Sequence, residues 1–227
     1  SKGRELYGLF LGRNAIRDAG RVIVVEGYMD VVALAQHGVD YAVATLGTAT
    51  TPVHAQKLFR LTDSVVFCFD GDNAGRKAAW RALENALPVL ADGKNASFLL
   101  LPDGEDPDDF VRRRGKAAFE AAIDSAIPLS EFMLAELADR HPPATAEGRA
   151  ALVAAAAPLL GQIAAPVLGA IMRRRLAVMS GLPDSELALL LPKAPAPVPE
   201  RASTAAPAGA MRPHRARTRN AVRRPPS

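Results

Sequence analysis

Four short, largely apolar runs pace the first half of the chain: Val22-Ile23-Val24-Val25, Tyr41 to Thr45, Val65-Val66-Phe67-Cys68-Phe69 and Ala96 to Leu101. The first and third have no polar break and are rich in β-branched or aromatic residues. They read as strands buried on both faces, as in a parallel sheet. The stretches between them carry helical periodicity. Ser1 to Asp18 places Leu6, Leu9, Phe10 and Ile16 on a rough apolar face. Tyr28 to His37 repeats at Met29, Val32, Ala33 and Gln36 and closes at Gly38. Pro52 opens a helix at its first position, and Ala74 to Leu90 aligns Ala78, Ala82, Ala86 and Leu90. Strand alternating with helix argues for a parallel sheet with right-handed crossovers.

After Pro128 the strand signal stops. Leu129 to Arg140, Thr145 to Leu160, Pro166 to Ser180 and Asp184 to Leu191 are helical and rich in Ala and Leu, with prolines near the joints. A small bundle or hairpin is expected there. Lys193 to Ser227 is rich in Pro and Ala and has no Leu, Ile, Phe or Trp. Such a segment cannot bury enough surface to fold, so disorder is expected. The predicted organisation is a lead-in helix over 1–19, an α/β domain over 20–127, a helical subdomain over 128–192 and a tail over 193–227.

Composition sharpens this picture in three places. Hydrophobic residues make up 49% of 227, enough for one sizeable core plus an appendage. The net charge is +4, but the tail alone carries eight Lys/Arg against one Glu, net +7, which leaves the rest at −3. The basic character belongs to the tail, where non-specific nucleic-acid contact is expected. The single cysteine, Cys68, lies inside a predicted buried strand. It excludes an intramolecular disulfide or a thiolate cluster, and it suits a reducing, cytoplasmic compartment. No apolar run reaches membrane-spanning length and no signal peptide is expected. The chain opens on Ser1, which predicts a piece of something longer. His37, His54, His141 and His214 show no ligand spacing.

The chemistry gathers where the strands end. The third run stops in Asp70-Gly71-Asp72, two carboxylates that point to one side of an extended chain, with a glycine between them to turn it. Open α/β sheets place active sites at such carboxyl ends. The competing reading is that Asp72 or Asn73 simply caps the next helix. An EF-hand fails because it would need a carboxylate or amide at Ala74 and a Glu at Arg81, and a Walker A loop fails on the spacing of Gly71 and Gly75 before Arg76-Lys77. The first run ends in Glu26, with Asp30 about one helical turn later on the same crevice; pairing of Glu26 with a helix N-terminus is the structural alternative. The fourth run leads into Pro102-Asp103-Gly104-Glu105-Asp106-Pro107-Asp108-Asp109, whose five acids repel one another strongly without cations. Capping by Asp106, with Pro107 at the first helical position, is the alternative there. Three acidic clusters converging on one sheet edge would bind a hard divalent cation, most naturally Mg²⁺. Arg112, Arg113, Arg114 and Lys116 follow, either to neutralise the acids or to touch a phosphate backbone. Leu46-Gly47-Thr48-Ala49-Thr50-Thr51 before Pro52 is a capped turn or a weak phosphate loop.

Val24 to Val32, Leu46-Gly47-Thr48, Phe69 to Ala79 and Leu101 to Asp108 together resemble the Toprim domain of bacterial replicative primases of the DnaG type. The strings Glu26-Gly27-Tyr28-Met29-Asp30 and Gly104-Glu105-Asp106-Pro107-Asp108 are specific to those primases among Toprim proteins. The resemblance extends from about Lys2 to Lys193. It implies a Toprim-type parallel sheet with flanking helices, followed by the helical subdomain of the primase core. It further implies that Glu26, Asp70 and Asp72 hold catalytic Mg²⁺ or Mn²⁺ and that Asp30, Asp106 and Asp108 complete the acidic site. Lys2 is implied near nucleotide or primer, with Arg4, Arg76 and Lys77 as further candidates for nucleic-acid or nucleotide contact.

The implied activity is primer synthesis: metal-dependent nucleotidyl transfer of ribonucleoside triphosphates on a single-stranded DNA template at the replication fork. The expected zinc site and the upstream half of the polymerase core lie outside this chain, and the replicative helicase is expected to bind through a domain after the tail. The chain alone is therefore expected to be inactive. The alternatives are a Toprim nuclease or topoisomerase-like enzyme, of which topoisomerases need a catalytic tyrosine outside this domain, and a non-catalytic Toprim module that only binds nucleic acid.

Overall fold

Among the described residues five strands form one sheet in the order β2-β1-β3-β4-β5. They are β1 (Arg21–Val25), β2 (Ala42–Ala44), β3 (Ser64–Phe69), β4 (Asn95–Leu100) and β5 (Ile127–Pro128). The computed structural model describes residues 5–45, 47 and 49–191. Lys2, Arg4, Leu46, Thr48 and the tail from Lys193, with its expected disorder, lie outside them. The described residues belong to one compact unit, Ser1–Ala196.

β1, β2, β3 and β4 are parallel, with Ile23 opposite both Ala42 and Val66, and Phe67 opposite Phe98. The unbroken apolar runs are buried as expected: Val22 to Val25 and Val65 to Phe69 are all 5% exposed or less. The chain moves from β1 outward to β2, then back across to β3 and on to β4. Right-handed crossovers therefore place α2 (Tyr28–Gln36) on one face of the sheet and α3 (Pro52–Phe59) and α4 (Asn73–Ala86) on the other. Consistent with this, α3 packs on α4, while α2 packs on α5 (Pro107–Asp124).

Four expectations are corrected. The sheet is mixed, because β5 adds to β4 antiparallel; two residues, one of them proline, give no periodic signal. The lead-in helix α1 runs only Leu9–Ala19. Gly8 takes a left-handed conformation at φ 78°, and Tyr7 pairs with Ala44 through two backbone hydrogen bonds of 2.9 and 3.1 Å. That bridge covers the free edge of β2. Phe10, counted on the apolar face, is 84% exposed, whereas Leu6 and Ile16 are buried. Finally, α4 stops at Ala86 although Leu87 and Leu90 remain buried, and α5 extends to Asp124 across a break at Gly115.

The helical segment comprises α6 (Leu129–Arg140), α7 (Ala146–Leu160), α8 (Pro166–Ser180) and α9 (Asp184–Leu190). It docks on the sheet through an aromatic stack. Phe67 of β3 lies 5.4 Å from Phe98 of β4, and Phe98 lies 4.7 Å from Phe132 of α6, ring centre to ring centre. A second tie is electrostatic. Ala165 offers no capping side chain to α8, so Asp92 from the loop after α4 accepts the Val167 and Leu168 N–H groups at 2.9 and 3.1 Å. In urea unfolding, Phe98→Ala is expected to cost about 3–5 kcal/mol and Asp92→Ala about 1 kcal/mol. Equal, sub-kilocalorie costs would show that the stack does not bind the helices to the sheet.

Candidate active site

The reversal of chain direction falls between β1 and β3, and the carboxyl ends of those two strands frame a crevice. Glu26 follows Val25 directly at the end of β1, and Asp70 follows Phe69 at the end of β3. Two glycines let the neighbouring loops close in. A Cβ on Gly71 would sit 2.0 Å from the Leu101 carbonyl oxygen, so only glycine lets the Asp70–Asp72 turn lie against the loop that leads to Asp106. A Cβ on Gly75 would sit 2.1 Å from the Asp70 carbonyl oxygen, so the first turn of α4 seats directly on Asp70.

Three of the acids are held by helix starts. Asp30, in the first turn of α2, accepts the Gly27 N–H at 3.1 Å through Oδ2. Asp72 caps α4 by accepting the Gly75 N–H at 2.7 Å, and Asp106 caps α5 by accepting the Asp109 N–H at 2.7 Å, each through Oδ1. The capping readings are therefore correct for Asp72 and Asp106. They do not exclude a ligand role, since each bond uses one carboxylate oxygen of two.

The arginines of the acidic loop turn on their own neighbours. Arg112 donates from Nη2 to both oxygens of Asp108 at 2.7 and 2.8 Å, and Arg114 pairs with Glu105 at 2.8 Å. Arg113 lies 3.7 Å from Asp109. Among the described residues Glu26, Asp30, Asp70, Asp72 and Asp106 have no such partner. Burial, and then the charges of Asp70, Asp30 and Asp72, push the Glu26 carboxyl above its ordinary range. Burial also lifts Asp30, to about 6, against the Gly27 hydrogen bond and with help from Asp106, Asp70 and Asp108. Asp70 rises through burial and through Asp106 and Asp72. Cys68 behind them is buried and its thiol is pushed up as well, which leaves it an inert core residue.

All six predicted acids thus act on one another across a single site. They are not closed into a chelate: among the described residues no three His, Cys, Asp or Glu side chains stand close enough to hold a metal ion together. The donor chemistry nevertheless fits a hard divalent cation, because the site is all oxygen and carries uncompensated negative charge.

Arg76 and Lys77 lie on the first turns of α4. Arg76 turns away to α6, where its Nε lies 3.4 Å from Glu136. Lys77 is exposed. Two residues escaped the sequence reading. Arg81, one turn beyond Lys77, lines a crevice of about 220 Å³ together with Glu26, Thr45, Thr50 and Phe69. Asn85 fixes that wall by donating to the Thr50 and Arg81 carbonyls, both at 2.9 Å. The other is Glu136, an acid set among Phe132, Met133 and Leu137 on the buried face of α6. That misplaced charge in an apolar stripe was the available signal. A larger groove of about 610 Å³ is lined by Val153, Ala157, Leu182 and Leu190 and by none of the six acids.

A sheet of four parallel strands and one antiparallel edge strand, with acids on the carboxyl ends of β1 and β3, is of the Toprim type, and the Toprim-like family model matches residues 23–111. A second model, the DnaB-helicase binding domain of primase, matches residues 130–185, within the helical segment. The helicase contact was expected in a domain after the tail; this match falls before it. The DNA primase of Neisseria meningitidis serogroup A is 56% identical over 191 residues, covering 84% of this chain and 32% of that protein. A crystal structure of a DNA primase domain from Pseudomonas aeruginosa superposes with a TM-score of 0.81 at 54% identity, covering 84% of this chain and 60% of that one. A DnaG primase catalytic domain bound to single-stranded DNA gives 0.74 at 51% identity, covering 78% and 57%. The chain belongs to the bacterial DnaG-type primases, in the stretch that carries the Toprim domain and the helices after it. It spans about a third of the length of the curated relatives it matches.

The raised carboxyls set the pH response of the metal-free chain. Folded Asp30 binds its proton up to about pH 6, whereas the unfolded carboxyl releases it near 3.8. Between those values the folded state holds more protons, so stability falls as pH rises and is flat above. In EDTA, the melting temperature of Asp30→Asn relative to the native sequence is expected to rise between pH 4 and pH 6.5. A constant difference would show that Asp30 is not strained by its neighbours.

Proposed function

We propose that this chain supplies the acidic half of a DNA primase site that builds short RNA primers on single-stranded DNA. The observation that carries the reading is the set of six mutually repelling carboxylates at the carboxyl end of a Toprim-type sheet. The reaction is nucleotidyl transfer. The 3′-oxygen of the growing strand forms a bond to the α-phosphorus of an incoming ribonucleoside triphosphate, the bond to the pyrophosphate oxygen breaks, and pyrophosphate leaves. Glu26, Asp70 and Asp72 would hold Mg²⁺ or Mn²⁺, which when bound supplies positive charge to the phosphoryl oxygens and the leaving group. Glu26, on the crevice wall, takes the proton of the attacking hydroxyl. Asp30, Asp106 and Asp108 complete the negative surround, and the helix starts that hold Asp30, Asp72 and Asp106 keep it from rearranging. Lys77 and Arg76, together with Lys2 and Arg4, are candidates for phosphate contact. The division into a lead-in helix, a Toprim domain over 20–127, a helical subdomain over 128–192 and a basic tail is part of the same proposal, as is action in the cytoplasm at the replication fork.

The helical segment is proposed as a contact for the replicative helicase, supported by the family match over 130–185. Residues 1–227 alone are proposed to make no primers. The acids position charge, but rate comes from partners held in line, and a globular part at −3 does not gather a polyanionic template. The basic and zinc-binding parts of the reading belong to sequence beyond what this chain spans of its relatives.

The test is a swap of residues 1–227 for the matching segment of the Neisseria meningitidis primase. Template-dependent RNA synthesis is expected from the chimaera, with a loss of at least about 100-fold in Asp70→Asn and in Asp72→Asn. Synthesis that is indifferent to both substitutions overturns the proposal. Robust synthesis by residues 1–227 alone overturns the claim that the chain needs its partner half.

A further inference from the structure

Glu136 is the only buried acid among the described residues, at 7% exposure. It sits on the face of α6 that carries Phe132, Met133 and Leu137 into the core. A carboxylate there is costly unless it is paired, and a Leu or Met of similar size would pack at no electrostatic cost. It is paired twice. Oε2 accepts from Arg140 Nη2 at 3.1 Å, and Oε1 lies 3.4 Å from Arg76 Nε. Arg140 in turn lies 4.0 Å over the ring of Trp80, whose indole N–H donates to Glu84 at 2.9 Å. The network therefore runs from α6 onto α4 at two points.

Arg140 alone would neutralise Glu136, so the second arginine calls for a further reason. Arg76 approaches the Glu136 carboxylate through Nε, and its side chain is 55% exposed. Arg76 belongs to the first turn of α4, the helix that Asp72 caps, and its N–H bonds the Asp72 carbonyl at 3.0 Å. An exposed arginine normally spreads over many rotamers. One drawn to a carboxylate samples fewer of them, and a guanidinium is suited to binding a phosphate group bidentately. Holding the side chain beforehand removes the ordering cost from the binding step.

We infer that Glu136 is a positioning residue, which reaches across from the helical segment to hold Arg76 as a phosphate ligand at the start of α4, the helix that Asp72 caps. The phosphate belongs either to a nucleic-acid strand or to a nucleotide, and the inference rests on the nucleotidyl-transfer reading above. It goes beyond that reading in giving a residue of the helical segment a part in the binding chemistry of the sheet. Arg140 and Trp80 form the rigid backing, since displacing Glu136 would also release the guanidinium from the indole face.

A double-mutant cycle on the whole 227-residue chain tests this, with binding of a labelled 5′-hydroxyl single-stranded DNA and of Mg·ATP measured at one salt concentration. Arg76→Ala and Glu136→Ala are each expected to weaken one of the two ligands about five- to tenfold, and the double variant no further than Arg76→Ala alone. The ligand that loses affinity identifies the source of the phosphate. Glu136→Gln, which keeps the side chain's volume, is carried through the same cycle, so that a poorly folded alanine variant does not remove the test. Emission from Trp80, the only tryptophan, reports whether Arg140 has left its ring. Equal weakening by Glu136→Ala with Arg76 present or absent overturns the positioning role and leaves the nucleotidyl-transfer reading standing. Loss of neither ligand in Arg76→Ala overturns the phosphate site. Absence of binding of both ligands by the native sequence likewise overturns the phosphate site.

Discussion

Repulsion among carboxylates is the constraint around which the rest of this protein is built. Glu26, Asp30, Asp70, Asp72, Asp106 and Asp108 come from three separate segments, and burial together with the neighbouring charges raises the proton affinity of Glu26, Asp30 and Asp70. Side-chain attraction does not gather them. Backbone packing does, at Gly71 against the Leu101 carbonyl and at Gly75 against the Asp70 carbonyl, where no larger residue fits. The fold then relieves part of the repulsion with its own dipoles. Asp30, Asp72 and Asp106 each accept a backbone N–H at a helix start, where the partial positive charge favours an anion. Arg112 compensates Asp108. Glu26 and Asp70, at the two central strand ends, have no such compensation among the described residues.

Topology makes the convergence possible. The chain crosses from β2 back over β1 to reach β3, so the two central strands open a crevice at their carboxyl ends rather than being covered by a continuous crossover. The helical segment braces this arrangement from one side. The Phe67–Phe98–Phe132 stack, Asp92 at the start of α8 and Glu136 against Arg76 all join it to β3, β4 and α4. A substitution in α6 can therefore reach the acidic site through α4 without touching an acid.

Much of this was legible because the signals are local. Val22–Val25 and Val65–Phe69 are buried on both faces, and their apolar continuity says so directly. The acids were readable because each stands at the end of such a run, and Pro107 after Asp106 marks a helix start. What escaped the sequence is set by tertiary contact. The bridge of Tyr7 to Ala44 stops the lead-in helix short of its periodic pattern, and β5 is too brief to have a period. The choice between capping and ligand roles for Asp72 could not be made from the sequence, and the structure shows why: the cap uses one oxygen and leaves the other. Nothing local to Arg76 announces its ion-pair partner, which lies sixty residues away on another helix.

The most direct measurement is a calorimetric titration of Mn²⁺ into the metal-free chain, with Asp70→Asn, Asp72→Asn and Glu26→Gln beside it. If the carboxylates at the ends of β1 and β3 form one cation site, the native sequence binds Mn²⁺ with release of protons from the raised carboxyls, and the affinity falls about tenfold or more in each variant. Unchanged Mn²⁺ affinity in Asp70→Asn and Asp72→Asn would contradict the account.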